Sequence, residues 1–141
     1  MNSSPDIAKD IADFQQKVLG NAYLPHPAPL TNESLIDQLS RIKEEMRELG
    51  AAVYYLRNGN GDQDKYLAMV IDALIDGMYF AAGWLYQMGV PLDKAWNIVH
   101  AANMKKIRGV TKRGQDNDAA KPEDWVDPVD QLVDMIRELR K

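Results

Sequence analysis

This sequence predicts an all-α bundle of four to five helices, and three observations carry that expectation. Leu35, Leu39, Ile42, Met46, Leu49, Val53 and Leu56 recur at alternating spacings of four and three, the signature of an apolar helical face. Residues 65 to 88 are apolar on nearly every side of a helical wheel, as expected for a central helix surrounded by others. No segment shows the strict alternation of a half-buried strand, and no internal repeat is visible. With 141 residues and 45% hydrophobic content, one domain spanning 1–141, with its core at about 33–128, is the expected organisation.

The elements follow in order. Ser4 is placed to cap a first helix, with Pro5 at its first position and Asp6 in its first turn. Ile7, Ile11, Phe14 and Val18 give that helix one apolar face before Gly20 stops it. NAYLPHPAPL is an extended connection, because its prolines forbid a regular helix. Thr31 or Asn32 caps the second helix, which RNGNGDQD ends. The third runs from about Lys65 to Met88 and stops at Gly89, with Met69, Asp72, Asp76, Phe80 and Gly83 along one seam. Pro91 opens a fourth, PLDKAWNIVHAANMKKI, on which Trp96, His100, Asn103 and Ile107 share a face. RGVTKRGQDNDAAKPEDWVDP reads as a polar loop, and a last amphipathic helix carries Val129, Leu132, Val133, Ile136 and Leu139.

Composition narrows the function classes. A net charge of -4 argues against a coat for nucleic-acid polymers. The chain has no cysteine, which leaves no disulfide, thiolate metal site or cysteine nucleophile and suits a reducing cytoplasm. MNSSPDIAKD lacks the apolar core of a signal peptide. The stretch from Tyr66 to Val90 is long enough to span a bilayer. However, Asp72 and Asp76 would each cost roughly 2.5–3.5 kcal/mol near its centre, so no membrane is expected.

Those acids point to chemistry instead. Glu44, Glu45 and Glu48 occupy a sector of about 100° bordering the second helix's apolar stripe. An EExxE run alone is more often a solvated face, with Arg41 and Arg47 near enough to pair. Asp72 and Asp76 on so apolar a helix are a rarer sight. Carboxylates gathered beside a core repel one another and lose hydration, which a hard divalent cation relieves. Glu45, Glu48, Asp72 and Asp76 are therefore expected to ligate Mg²⁺ or Mn²⁺ for attack on a phosphate chain, with Glu44 left to take a proton from water. Gln15, an amide beside apolar Ile11 and Phe14, is a candidate for holding a base. His100 and Trp96 read as packing residues; Trp125 reads first as core and second as a stacking surface for the base.

The order of these features resembles the all-α nucleoside triphosphate pyrophosphohydrolases, which include MazG proteins, phosphoribosyl-ATP pyrophosphohydrolase and dimeric dUTPases. EEMRE matches their EExxE at Glu44, Glu45 and Glu48. In their second acidic pair, ExxD, Asp76 matches directly, while Ala73 stands at the usual Glu position and Asp72 lies one residue before it. LYQMGVPLDKAWNIVHAANMKK and AAKPEDWVDP resemble two further segments of the family, most nearly in its short phage or bacterial MazG-like form. The resemblance implies that Asn103, Lys106 and Lys121 bind substrate phosphates, with Lys112 or Arg113 helping. It also implies hydrolysis of a nucleoside triphosphate, with dGTP a candidate, to monophosphate and pyrophosphate by a homodimer or homotetramer. Phosphoribosyl-ATP hydrolysis, dUTP hydrolysis and a non-enzymatic helical adaptor are the alternatives.

Overall fold

A computed structural model describes residues 3–114 and 117–141; residues 1–2 of the polar N-terminus and 115–116 of the charged connection lie outside it. The helices are α1 (Ile7–Lys17), α2 (Asn32–Asn58), α3 (Gln63–Gln87), α4 (Leu92–Asn103) and α5 (Val129–Leu139). Between α4 and α5 lie two short strands, β1 (Ile107–Gly109) and β2 (Asp118–Ala120). The chain falls into two compact units, Met1–Gly89 and Val90–Lys141.

In the first unit α2 and α3 form a long antiparallel hairpin, and α1 lies against α3. Side-chain oxygens start each helix. Thr31 accepts from the Ser34 N–H at 3.2 Å, and Asp62 accepts from the N–H groups of Asp64 and Lys65. At α1 the cap is Asp6, not Ser4, because the Asp6 carboxylate reaches the Lys9 N–H at 3.1 Å and leaves Pro5 outside the helix.

The four-three stripe of α2 divides into two rows of seven-residue period. Leu35, Ile42, Leu49 and Leu56 are partly covered, whereas Leu39, Met46 and Val53 are 46%, 56% and 38% exposed. Three other residues, Gln38, Glu45 and Ala52, complete the covered side. The expectation that α3 is surrounded on all sides is not met within one chain. Ile71, Leu74, Ile75 and Met78 are each about half exposed, and no large side chain among the described residues is fully buried. Cover on α3 is concentrated in its second half. Phe14 meets Tyr79 edge to face at 5.4 Å, Gln16 donates to the Tyr86 hydroxyl at 3.0 Å, and Tyr86 donates to the Asn21 carbonyl.

The proline-rich connection is tied to the end of α3 by the Ala28 N–H, which donates to the Met88 carbonyl at 2.9 Å. Beside it Gly89 turns the chain at φ +70°, and a Cβ there would stand 2.8 Å from the His26 carbonyl oxygen.

In the second unit α4 packs on α5 and stops at Asn103, so Ile107 does not share its face. The N–H groups of Lys105 and Lys106 turn back to the Ala102 and Asn103 carbonyls, tightening the last turn until the helix ends. Trp96 is 65% exposed and does not join a core. The expected polar loop contains an antiparallel ribbon in which Ile107 faces Ala120 and Gly109 faces Asp118. Asp118 holds it: Thr111 and Arg113 both donate to its carboxylate, Arg113 through two bonds of 2.8 Å. These bonds, with one from the Ala119 N–H, keep the Asp118 carboxyl below the usual range.

Replacing Gly89 with alanine should strain both its backbone and the connection packed on it. A loss of about 1–3 kcal/mol is expected, read as a lower midpoint in thermal unfolding with helix content retained at low temperature.

Candidate active site

The covered row of α2 places a carboxylate where the hairpin would otherwise hold an apolar side chain. Glu45 stands one heptad after Gln38 and one before the buried Ala52, so it is turned toward α3. Its Oε2 is shut off from solvent and has no hydrogen-bond partner. The Glu45 carboxyl titrates above its ordinary value. Loss of hydration is the main cause, followed by the negative charges of Glu48, Asp76, Glu44 and Asp72. The other four acids named from the sequence are thus near enough to act on Glu45.

Their exposures differ. Glu44, Glu48 and Asp72 are exposed, Asp76 is half-buried, and Ala73, not Asp72, takes the inward position on α3. The seam expected from Met69 to Gly83 is therefore covered at Asp76, Phe80 and Gly83 but open at Met69 and Asp72. Arg41 does not neutralise the glutamates; it pairs with Asp37 at 3.0 Å. Among the described residues no ion pair reaches any of the five acids.

Asp76 also lines a groove of about 640 Å³ that runs to α1. Phe14 and Gln15, two of the residues named for a base, line it together with Gln38, Gln87 and Phe80. Ile11 is buried behind them at 4% exposure. Gln38 and Gln87 were not legible as site residues, since isolated amides read as solvated positions. The one signal was that Gln38 shares its heptad row with Glu45.

The second unit has a groove of its own, of about 570 Å³, lined by Lys106, Lys112, Arg113 and Lys121. Asn103 lies exposed at the end of α4. Arg113 is engaged by Asp118, which leaves the three lysines as the cations facing this groove. Trp125 organises two of them: its Nε1 donates to the Ala102 carbonyl at 2.7 Å, and the Lys106 and Lys121 ammonium groups lie 5.2 and 4.7 Å from its ring centre. Its ring thus carries two of the groove's lysines.

The family model for phosphoribosyl-ATP pyrophosphohydrolase matches residues 12–103, close to two thirds of the chain. This chain belongs to that family. The phosphoribosyl-ATP pyrophosphohydrolase family is one of hydrolases that cut phosphoanhydride bonds, within the MazG-like all-α superfamily, so the adaptor reading gives way to an enzyme. The matched span takes in the five acids and the groove beside α1, and ends at Asn103 before the lysine groove. No curated protein matches the chain.

The residues of this family member fit a hard cation by donor type, and the Glu45 Oε2 atom is the observation that bears on one: it is shut off from solvent, has no hydrogen-bond partner and feels the charge of four other acids. Among the described residues no three His, Cys, Asp or Glu side chains close on a single point. The acids surround Glu45 without converging as a ligand set.

A carboxyl raised by folding stabilises the fold while protonated. Without added metal, stability should therefore fall as pH rises from about 4.5, the ordinary glutamate value, through the raised value of Glu45. Glu45→Gln should flatten that dependence and raise the metal-free melting temperature at neutral pH, checked by thermal melts across pH with and without Mn²⁺.

Proposed function

We propose that the chain hydrolyses a nucleoside triphosphate to its monophosphate and pyrophosphate with the help of Mg²⁺ or Mn²⁺, a purine deoxynucleotide such as dGTP being the preferred candidate. The observation that carries this reading is the partnerless Glu45 oxygen amid four further carboxylates, beside a groove of nucleotide size. Glu45, Glu48, Asp72 and Asp76 would hold the cation, which neutralises phosphate charge and makes a bound water more acidic. Glu44, exposed and outside the seam, takes the proton from the attacking water. The water oxygen bonds to phosphorus as the anhydride P–O bond breaks, and pyrophosphate leaves. Phe14 and Gln15 would offer the base side of the groove, with Ile11 buried in the core of the same helix. Lys106, Lys112 and Lys121, with Asn103 as a neutral donor, offer a cationic groove suited to a phosphate chain.

The family match favours a second substrate, phosphoribosyl-ATP, which presents the same anhydride bond to the same acids. A panel of nucleoside triphosphates and phosphoribosyl-ATP, read as initial rates of pyrophosphate release, separates the two. Glu48→Gln and Asp76→Asn should each lower the rate on the best substrate by at least about 100-fold while helix content persists, and chelation should do the same to wild type. Release that continues undiminished in both variants would sink the proposal.

The exposed apolar rows fit a homodimer or homotetramer in which hairpins of two copies cover each other. Leu39, Met46, Ile71, Leu74, Ile75 and Met78 are about half covered already, so each would contribute about 0.7–1.5 kcal/mol if covered fully. By length and composition α3 could also cross a bilayer. Asp72 and Asp76 oppose that, and the cysteine-free composition suits cytoplasm. Light scattering at micromolar concentration should give at least twice the chain mass, and Met46→Glu with Ile75→Glu should return it to the monomer's.

A further inference from the structure

The groove beside α1 is walled by carboxamides in an arrangement that the acid cluster does not require. Gln15 is 5% exposed and Gln38 is 8% exposed, although they stand on different helices. Asn21 Nδ2 donates to Gln15 Oε1 at 2.9 Å, and Gln87 Nε2 donates to the same oxygen at 3.4 Å. Gln38 Nε2 donates to Gln87 Oε1 at 3.2 Å. The amides thus form one chain, Gln15 to Gln87 to Gln38, with the Gln15 nitrogen and the Gln38 oxygen at its ends. A packing role would be served more cheaply by apolar side chains, since buried amides must all be satisfied.

Gly83 is the second part of the device. The Gln15 Nε2 atom lies 2.6 Å from where a Cβ on Gly83 would be, so the amide occupies space that only glycine leaves open. Helix α3 accepts a poor helix former at that position. Aromatic rings of Phe14, Tyr79 and Phe80 line the same groove and offer apolar faces to a flat ring.

We propose that the Gln15–Gln87–Gln38 chain, seated by Gly83, reads the hydrogen-bonding edge of a heteroaromatic base. The edge it takes carries an exocyclic donor or acceptor beside a ring nitrogen. This rests on the nucleotide-hydrolase reading and adds the residues that set its substrate. The linked amides leave a donor at the Gln15 nitrogen and an acceptor at the Gln38 oxygen, the two complementary groups such an edge calls for. Because the amides are linked, a substitution at one disturbs the donor and acceptor offered by the others.

The test uses the full chain and three monophosphates, dGMP, dAMP and the 2′-deoxy monophosphate of unsubstituted purine, whose base lacks an exocyclic group. Affinities are measured by calorimetry. Wild type should bind the better of dGMP and dAMP at least about tenfold more tightly than the unsubstituted purine, as expected of a site built to hydrogen-bond its ligand. In Gly83→Ala, where the added methyl displaces the flexible end of Gln15, and in Gln15→Leu, that ratio should fall to about twofold or less. Circular dichroism verifies that each variant is folded; Gly83→Ala removes no buried polar group and serves if Gln15→Leu does not fold. A wild-type ratio near one, a ratio that survives in the folded variants, or no binding of any monophosphate would overturn the assignment. Failure of the hydrolase reading shows separately, as no triphosphate cleaved while the binding ratio and its loss remain.

Discussion

A carboxylate oxygen held away from water, with no hydrogen set against it and four other carboxylates acting on it, constrains the first unit. The place of Glu45 on the covered side of α2 follows from the same heptad that turns Ile42 and Leu49 toward α3. A fold that keeps such a group accepts a stability cost unless a proton or a cation joins it. The rest of the unit is consistent with that demand. Asp76 comes from the facing helix, Arg41 is occupied by Asp37, and the groove begins at the acid cluster.

The hairpin that carries this strain has little interior of its own. Its covered face is shared among Leu35, Ile42, Leu49 and Leu56 on α2 and residues such as Ala73 and Ala82 on α3. The opposite rows remain in solvent. Thin single-chain cover and a partnerless Glu45 oxygen both cost stability, so the association proposed for the outer rows would stabilise the same helices that carry the acids.

Much of this was legible in the sequence, and the failures have physical reasons. Helix positions followed from periodicity and capping residues, and the EExxE and Asp76 positions identified the acids. The stripe alone did not reveal that alternate members face outward, because spacing reports a common side of the helix but not how many partners cover it. Asp72 read as the equal of Asp76, only about 40° from it on the wheel, yet it lies a turn closer to the thinly covered first half of α3 and is exposed. The ribbon escaped notice because three-residue strands have no room to alternate, and its hold on the chain is the Asp118 side chain. The amide wall joins residues 15, 38 and 87, brought together by tertiary folding and invisible to any local pattern.

Gln38 and Glu45 lie seven residues apart on an unbroken helix. That interval is two turns, about 10 Å of axial rise, and a helix neither stretches nor compresses appreciably along its axis. Helix α2 is therefore a ruler with an amide mark and a carboxylate mark on one edge. Deleting or inserting a single residue between the marks would change their separation by only about 1.5 Å but swing one of them about 100° off the edge. Along this segment the length of the chain is part of its chemistry.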